Sequence, residues 1–449
     1  MKKKISLILV LILIVLSFSA CSSIGLGGEN IMAPPGAGGE RNEITKILEG
    51  ISGNDMVFFY PKTGVNRSAI LNVNNFTQET KTDDIVAFCS SKETGNANIV
   101  FLSKIGGTYK ISALFEKNYS IVDRVYFSDL NGDGRNEVIL GWGSPINSTG
   151  NICIYSYNDK TKTIIEEDLV ESYSEMSVAD YLGNGNSEIM VLTLSKTVSE
   201  ENEASRMVPA YATLYDFNGK NSTCLSSALL DSSAVNYALV STGKTETSAN
   251  VCIADCLRAD NVMFSQIIYW DAVKSAVAVY PSSSEITAVN ETARKFYVYS
   301  KDVNEDGLIE IPTSYTLPFA DDAALDKSYH YALVAWNRFD KENSKLLLLS
   351  REYTSYDNGY TVRIPIEWNG KVALSLKENS FTLFEWNPDE NKVGKMIFKI
   401  STLPAGAAAS DLGEILYSDS EKRHLLTIGN SDIVKTDIQT IKENFSVLG

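Results

Sequence analysis

The sequence predicts a mainly β protein in which similar four-stranded units repeat, followed by a small α+β region at the carboxyl end. Three observations predict this class. A loop pattern recurs at steps of 51 to 64 residues, and its best copies are rich in Asp, Asn and Gly. Short apolar runs typical of strands follow these loops. Apolar residues at helical spacing appear near the end of the chain, between Asp432 and Phe445.

The first twenty residues have the pattern of an export signal. Three lysines at positions 2 to 4 precede an apolar run over residues 5–16, which is shorter than the roughly 20 residues of a membrane span. The following Phe18-Ser19-Ala20-Cys21 resembles the lipobox of bacterial lipoproteins. The resemblance implies cleavage before Cys21 and acylation of this residue, which would hold the protein on the extracytoplasmic face of the cell membrane. The alternative is an ordinary secretory signal with an incidental cysteine.

Residues 21–41 predict a flexible tether, because Ser, Gly and Pro dominate and such a composition buries too little surface to fold. The chain has a formal net charge of −16, and loss of the three signal lysines takes it to −19. An acidic surface argues against nucleic acid as a partner. We expect two partners instead: the membrane, through the lipid, and an unidentified protein or polysaccharide of the cell envelope.

Cysteine and histidine usage argues against several kinds of site. Five cysteines remain besides Cys21 and form no CxxC pair, so a zinc or redox centre has no support and buried free thiols are expected. The two histidines, His330 and His424, lie in no recognisable motif. A catalytic triad or a multi-histidine metal site would have to use them, and the sequence predicts no catalytic residue.

Two loops carry the pattern of a calcium site. Counted from Asp129 and from Asp302, oxygen-bearing side chains occupy positions 1, 3 and 5, a glycine position 6 and a glutamate position 9. Calcium prefers six to eight oxygen ligands in a flexible geometry, and alternate acidic or amide side chains on a tight turn converge on one point. EF-hand loops differ, because their closing glutamate lies at position 12 and helices flank them.

A third loop keeps part of this pattern. Asp180, Asn184 and Glu188 occupy the expected positions, with Gly185 at position 6, but Leu182 replaces the ligand at position 3. We therefore predict a weak metal site there.

Two further segments keep only part of the loop pattern. Ala238, Gly243 and Glu246 retain the spacing, and the segment 76–84 retains the closing acid. Loop starts at positions 76, 129, 180, 238 and 302 define five repeats. This period suits one four-stranded blade of a β-propeller per repeat. We expect five to seven blades, because a blade can lack the loop.

The repeats resemble the FG-GAP or VCBS-type repeats of integrin-like β-propellers, and the chain resembles propeller lipoproteins of clostridia-like Gram-positive bacteria. The resemblance covers roughly residues 50 to 350, within a predicted propeller over residues 42–350. It implies structural calcium between the first two strands of a blade. A metal-free turn is the alternative, since Asp, Asn and Gly favour turns without any ion. The implied ligands are Asp129, Asn131, Asp133, Glu137 and the Arg135 carbonyl in one loop, and Asp302, Asn304, Asp306, Glu310 and the Leu308 carbonyl in the other.

Residues 351–449 predict a separate α+β domain of about one hundred residues, with several strands and one helix. Trp368, Phe384 and Trp386 would line a sugar or peptide groove in this domain, or else form its core.

Three functions agree with these features. The first is a surface-displayed binding or scaffolding module, since loops on a rigid frame commonly carry recognition. The second is a glycan-active enzyme with two carboxylates about 5–10 Å apart, although no such pair is marked by a motif. In the third, the propeller is a spacer and the carboxyl-terminal domain recognises the partner. We favour binding.

Overall fold

The computed structural model describes residues 39–53, 55–77, 83–91, 95–119, 121–143, 150–198, 205–245, 250–282, 291–320, 331–377, 379–407 and 413–448. The predicted signal, Cys21, His330 and Glu246 lie outside these ranges. In the described part of the chain, no helix is both long and apolar enough to cross a bilayer.

The described chain begins with helix α1 (Gly39–Ser52), which starts inside the segment predicted as a tether. Its buried residues Ile44 and Leu48 are four apart and lie on one face. They pack against one face of the first sheet, where Ala87 and Val100 are buried. The helix therefore covers a sheet face that water would otherwise reach.

The first four sheets follow one another along the chain, and neighbouring strands within each sheet are antiparallel. The first sheet contains β1 (Met56–Phe58), β2 (Ile70–Val73), β3 (Asp84–Ser91), β4 (Ala97–Ile105) and β5 (Thr108–Lys117). The second contains β6 (Ile121–Ser128), β7 (Glu137–Gly143), β8 (Gly150–Asn158) and β9 (Thr163–Tyr173). The third contains β10 (Glu175–Ala179), β11 (Glu188–Thr193), β14 (Tyr211–Phe217) and β15 (Ser222–Leu229), and a hairpin of β12 (Lys196–Val198) and β13 (Arg206–Val208) lies between β11 and β14. The fourth contains β16 (Ala234–Lys244), β17 (Asn250–Arg258), β18 (Met263–Asp271) and β19 (Ala276–Tyr280).

Two five-stranded sheets complete the fold. The fifth sheet contains β20 (Ile311–Ser314), β21 (Tyr331–Asp340), β22 (Lys345–Ser355), β23 (Tyr360–Ile364) and β29 (Phe445–Val447). A 3₁₀ turn (Ile366–Trp368) leads to the sixth sheet, and helix α2 (Ile438–Glu443) precedes β29. The sixth sheet contains β24 (Val372–Lys377), β25 (Ser380–Asn387), β26 (Lys392–Pro404), β27 (Glu414–Ser418) and β28 (Lys422–Ile428).

Consecutive sheets pack face to face. Successive residues of a strand point to opposite faces, and in β7 both faces are buried. Val138 and Leu140 share a core with the first sheet, whereas Ile139 shares a core with the third. The same alternation continues through the fourth, fifth and sixth sheets. The strands that open the second, third and fourth sheets also contact one another in turn. The fold is therefore a series of antiparallel sheets stacked in chain order.

The carboxyl-terminal residues share strands and a core with the preceding sheet. The boundary predicted between residues 350 and 351 falls inside β22. Strand β29 returns to pair with β23, and one core joins the fifth and sixth sheets. The helix is shorter than the pattern between Asp432 and Phe445 predicts, because Asp437 has an extended backbone and caps the helix start by accepting a hydrogen bond from the N–H of Thr440. Trp368 is buried, and Phe384 and Trp386 are half-buried on β25.

Candidate cation-binding loops

The loops that start at Asp129, Asp180 and Asp302 have one backbone conformation. The glycine at position 6 has a φ of 81° in Gly134, 94° in Gly185 and 83° in Gly307, which is the left-handed region that favours glycine. In each loop the N–H of this glycine donates to the first aspartate, at 2.9, 2.9 and 2.7 Å. The turn therefore forms from its own side chains in all three loops, including the loop that lacks a ligand at position 3.

The glutamate at position 9 is the first buried residue after each loop's central turn and supports the turn from inside. Glu137, Glu188 and Glu310 are 2%, 0% and 0% exposed. Each accepts a hydrogen bond from the backbone N–H at position 2, at 2.9, 2.8 and 3.0 Å. Spacing alone suggested only a metal ligand, but the acid also satisfies a buried backbone donor.

In the Asp129 loop, carboxylates surround a buried glutamate that no cationic side chain contacts in the described structure. Glu137 accepts hydrogen bonds from Leu130 N and from Asn131 Nδ2 (2.7 Å), which are neutral donors. Burial, with Asp133 and Asp129 nearby, raises the pKa of Glu137 to about 8. A cation at this loop would offset the repulsion between Glu137 and the two aspartates, so the residues present fit a bound metal.

The Asp180 loop leaves one carboxylate oxygen without a partner. Leu182 stands where Asn131 bonds its glutamate in the preceding loop. Glu188 Oε1 is buried and has no hydrogen-bond partner within the described residues. Burial raises the pKa of Glu188 to about 7. Asp180 itself accepts hydrogen bonds from Gly183, Asn184 and Gly185.

The Asp302 loop already contains a cation from the chain itself. Arg338 on β21 donates from Nη2 to Asp306 Oδ2 at 2.5 Å and to Glu310 Oε1 at 3.2 Å. Asp306 and Glu310 are two of the predicted calcium ligands. A metal bound by both would have to displace this guanidinium, so the predicted calcium does not fit this loop as it stands. Sequence spacing could not reveal Arg338, since β20–β21 pairing brings it there from 28 residues away.

The two weaker copies of the loop differ in outcome. In the first sheet Asp84 accepts hydrogen bonds from Thr77 N and Oγ1. The loop pattern that starts at Phe76 therefore has an acid at position 9 that supports the turn from inside, as in the other loops. The loop pattern that starts at Ala238 is wrong, because β16 continues through Lys244. Gly243 lies in that strand, where an added Cβ would come within 2.3 Å of Ile309. This glycine therefore permits a close approach of the Asp302 loop rather than a turn.

Backbone hydrogen bonds join the loops of consecutive sheets, and we call them the inter-loop hydrogen bonds. In each bond, an N–H at or just before the start of a strand donates to a carbonyl at or just after the end of a strand in the sheet before it. The four bonds are Asn136 N to Asn75 O at 2.8 Å, Ser187 N to Asp129 O at 3.0 Å, Asn250 N to Asp180 O at 3.2 Å and Ile309 N to Lys244 O at 3.0 Å.

Other candidate chemistry is sparse in the described ranges. No three Asp, Glu, His or Cys side chains there are grouped as a metal site, so a cation at Asp129 would also need amide and carbonyl oxygens. Four described cysteines are buried and Cys224 is exposed, contrary to the expected burial of all five. His424 is buried, and burial lowers its pKa to about 4. It packs between Tyr360 and Phe445.

Among the cavities that open on the described surface are three of roughly 490 to 660 Å³, and none of these three is lined by two carboxylates. One lies by Ser174 and Pro209, one by Phe296 and Leu317, and the third by Tyr297 and Arg363. The third has a single lining carboxylate, and the other two have none.

No protein-family model matches this chain, and no curated protein matches it. Several solved structures do match. One is a protein from Lactobacillus plantarum, at 8% identity and a TM-score of 0.27, over 70% of this chain and 80% of that one. The rhamnogalacturonan lyase YesW matches at 12% identity and a TM-score of 0.29, over 75% and 82%. A Bacillus licheniformis rhamnogalacturonan lyase matches at 12% identity and 0.28, over 82% and 88%. Structural similarity at these TM-scores does not indicate the function of this protein.

Proposed function

We propose that this protein is a lipid-anchored, extracytoplasmic binding module with a rigid β-propeller frame. The observation that carries the proposal is the row of inter-loop hydrogen bonds, which couples each of the first four sheets to the next at the same edge. Loops fixed in this way to a packed frame suit the display of a recognition surface.

The packing of the sheets supports a propeller. Blades of a propeller are four-stranded antiparallel sheets arranged around an axis, with their first strands innermost. Here the opening strands of the second, third and fourth sheets contact one another, and every pair of consecutive sheets shares a core. Six sheets would make six blades, which lies in the expected range of five to seven.

We propose that the Asp129 loop binds one structural calcium ion. Asp129, Asn131, Asp133 and Glu137 would supply side-chain oxygens, and the Arg135 carbonyl would supply one from the backbone. Calcium would neutralise the buried carboxylate of Glu137 and hold the turn. In the Asp302 loop, the Arg338 guanidinium has this role, and the Asp180 loop stays a weaker candidate.

Binding is better supported than catalysis. A glycosidase-type mechanism needs two carboxylates about 5–10 Å apart in a cleft. The three cavities described above do not provide such a pair. The conspicuous acids at positions 1 and 9 of the loops are engaged by backbone N–H groups instead.

Binding can be tested with the full chain in detergent and an envelope fraction from the cells that make it. A binding module should be retained saturably on that fraction, and excess unlabelled protein should compete. Chelator should weaken retention only as far as it destabilises the fold. Absence of saturable retention by natively folded protein would overturn the proposal.

A further inference from the structure

A groove of about 490 Å³ lies on one face of the fifth sheet, and we call it the fifth-sheet groove. Strand register determines its polar floor. Glu352 on β22 lies opposite Arg363 on β23, Thr354 lies opposite Thr361, and Thr361 lies opposite Ser446 on β29. The floor therefore presents one carboxylate, one guanidinium and three hydroxyl groups in adjacent positions.

Exposed tyrosines line the same groove. Tyr297, Tyr299 and Tyr356 are 56%, 39% and 42% exposed. Single exposed aromatics are common on proteins, but a group of them around one cavity marks a binding surface. Tyrosine offers a flat apolar face together with a polar hydroxyl, and few bonds must be immobilised when a ligand binds.

The groove carries positive charge on an acidic protein. Lys301 and Arg363 are exposed and have no ion-pair partner in the described part of the chain. Lys301 Nζ lies 5.5 Å from the ring centroid of Trp336, another residue of the groove. The indole N–H of Trp336 is buried and has no hydrogen-bond acceptor within the described ranges. Glu352 is half-buried and accepts a hydrogen bond from Thr354 Oγ1. The two available cations thus outnumber the one carboxylate.

We propose that the fifth-sheet groove binds an acidic oligosaccharide, a chain of sugar rings that carries uronate carboxylates. This inference rests on the proposed binding function and names its ligand class. A pyranose ring has an apolar C–H face that would lie on a tyrosine ring, and a rim of hydroxyls that would meet Thr361 and Ser446. The uronate carboxylate would pair with Arg363 or Lys301, and charge-assisted hydrogen bonds of this kind are the stronger ones. The cavity volume lies in the range of small-ligand pockets, roughly 300–1,000 Å³.

Calorimetric titration of the full chain in detergent tests the proposal. The probes are uronate hexasaccharides from alginate, pectate and hyaluronan, the neutral maltohexaose and hexaglutamate. We expect at least one uronate hexamer to bind, with affinity falling as salt rises. Maltohexaose and hexaglutamate should bind at least about tenfold more weakly.

Variants link binding to the groove. Arg363→Gln should weaken uronate binding by about tenfold or more, and Tyr297→Ala should weaken it several-fold. The matched controls are Arg67→Gln, an exposed arginine on another part of the chain, and Tyr60→Ala, a tyrosine that is 55% exposed. Neither control should change the affinity by more than about twofold, a difference below 0.5 kcal/mol. Melting curves of all four variants should match that of the unaltered protein.

Three results would overturn the proposal: no uronate hexamer binds, hexaglutamate or maltohexaose binds as tightly, or the groove variants bind uronates like the controls. Retention on the envelope fraction separates this failure from failure of the proposed function. If the chain binds the envelope but not uronates, only the ligand class is wrong. If it binds neither, the binding function is wrong as well.

Discussion

Replacement of Glu137 by glutamine tests whether the Asp129 loop is built for a cation. Burial raises the pKa of Glu137 to about 8 from an ordinary value of 4.5. A carboxyl whose pKa is raised by folding stabilises the protein below the lower value, and this contribution is lost as pH rises toward the higher one. In the metal-free protein, the stability should therefore fall between pH 4.5 and 8, because over this range Glu137 ionises in the unfolded chain and stays protonated in the folded one.

The magnitude follows from the two pKa values. At 1.36 kcal/mol per pKa unit, the loss is about 3 kcal/mol at pH 7. Unfolding entropy near 2.1 cal/mol/K per residue converts this into a fall in melting temperature of about 3 °C for a chain of 449 residues. Calcium at about one hundred times its dissociation constant should restore roughly 2.7 kcal/mol.

The assay is thermal melting with chelator and with calcium, between pH 5 and 8. Glu137→Gln should melt higher than the unaltered protein in chelator at pH 8, and it should lose most of the calcium response. Glu188→Gln is the matched control, because Glu188 also has a raised pKa, of about 7. It should flatten the pH dependence but keep the calcium response. Full pH dependence and a full calcium shift in Glu137→Gln would contradict a cation site at the Asp129 loop.

Three further predictions concern other parts of the chain. Asp255→Asn should destabilise the protein by about 3–5 kcal/mol, because it leaves Arg294 unpaired in a core where both residues are at most 1% exposed. Chemical denaturation measures this loss of stability, and a loss below about 1 kcal/mol would contradict the prediction. Cys21→Ser should release the protein from the membrane fraction, whereas the control Cys224→Ser should leave it there. Cell fractionation and labelling with a fatty-acid analogue measure this, and a Cys21→Ser protein that stays labelled in the membrane fraction would refute the lipid anchor. Asp84→Ala should lower the melting temperature without altering calcium binding, since Asp84 supports a loop with no other predicted ligand. A change in the number of calcium ions bound per chain would refute this prediction.

Local patterns in the sequence predicted the turns well. The Asp129 loop lies between β6 and β7, as the strand patterns on both sides predict, and the Asp180 loop lies before β11, as the strand pattern after it predicts. Turn chemistry depends on residues within one loop, so spacing is enough to locate it. The loop pattern at Ala238 failed because β16 continues through Lys244, so Gly243 lies in a strand and not in a turn.

Non-local contacts could not be predicted from spacing. Arg338 reaches Glu310 only because β20 pairs with β21 in one particular register. The core between the fifth and sixth sheets includes Ile441 of α2, and Phe445 of β29 packs against it where β29 returns to pair with β23. The tyrosines of the fifth-sheet groove come from two segments more than fifty residues apart. Each of these features needs the pairing of strands that no local pattern specifies.

The number of calcium ions bound per chain tests the account of the loops most directly. Equilibrium dialysis of the full chain should give one tightly bound ion, lost in Asp129→Asn and kept in Asp302→Asn. Arg338→Gln should raise the number to two, because it frees Asp306 and Glu310 for a metal. No tightly bound ion in the unaltered protein, or two with Arg338 intact, would contradict the account.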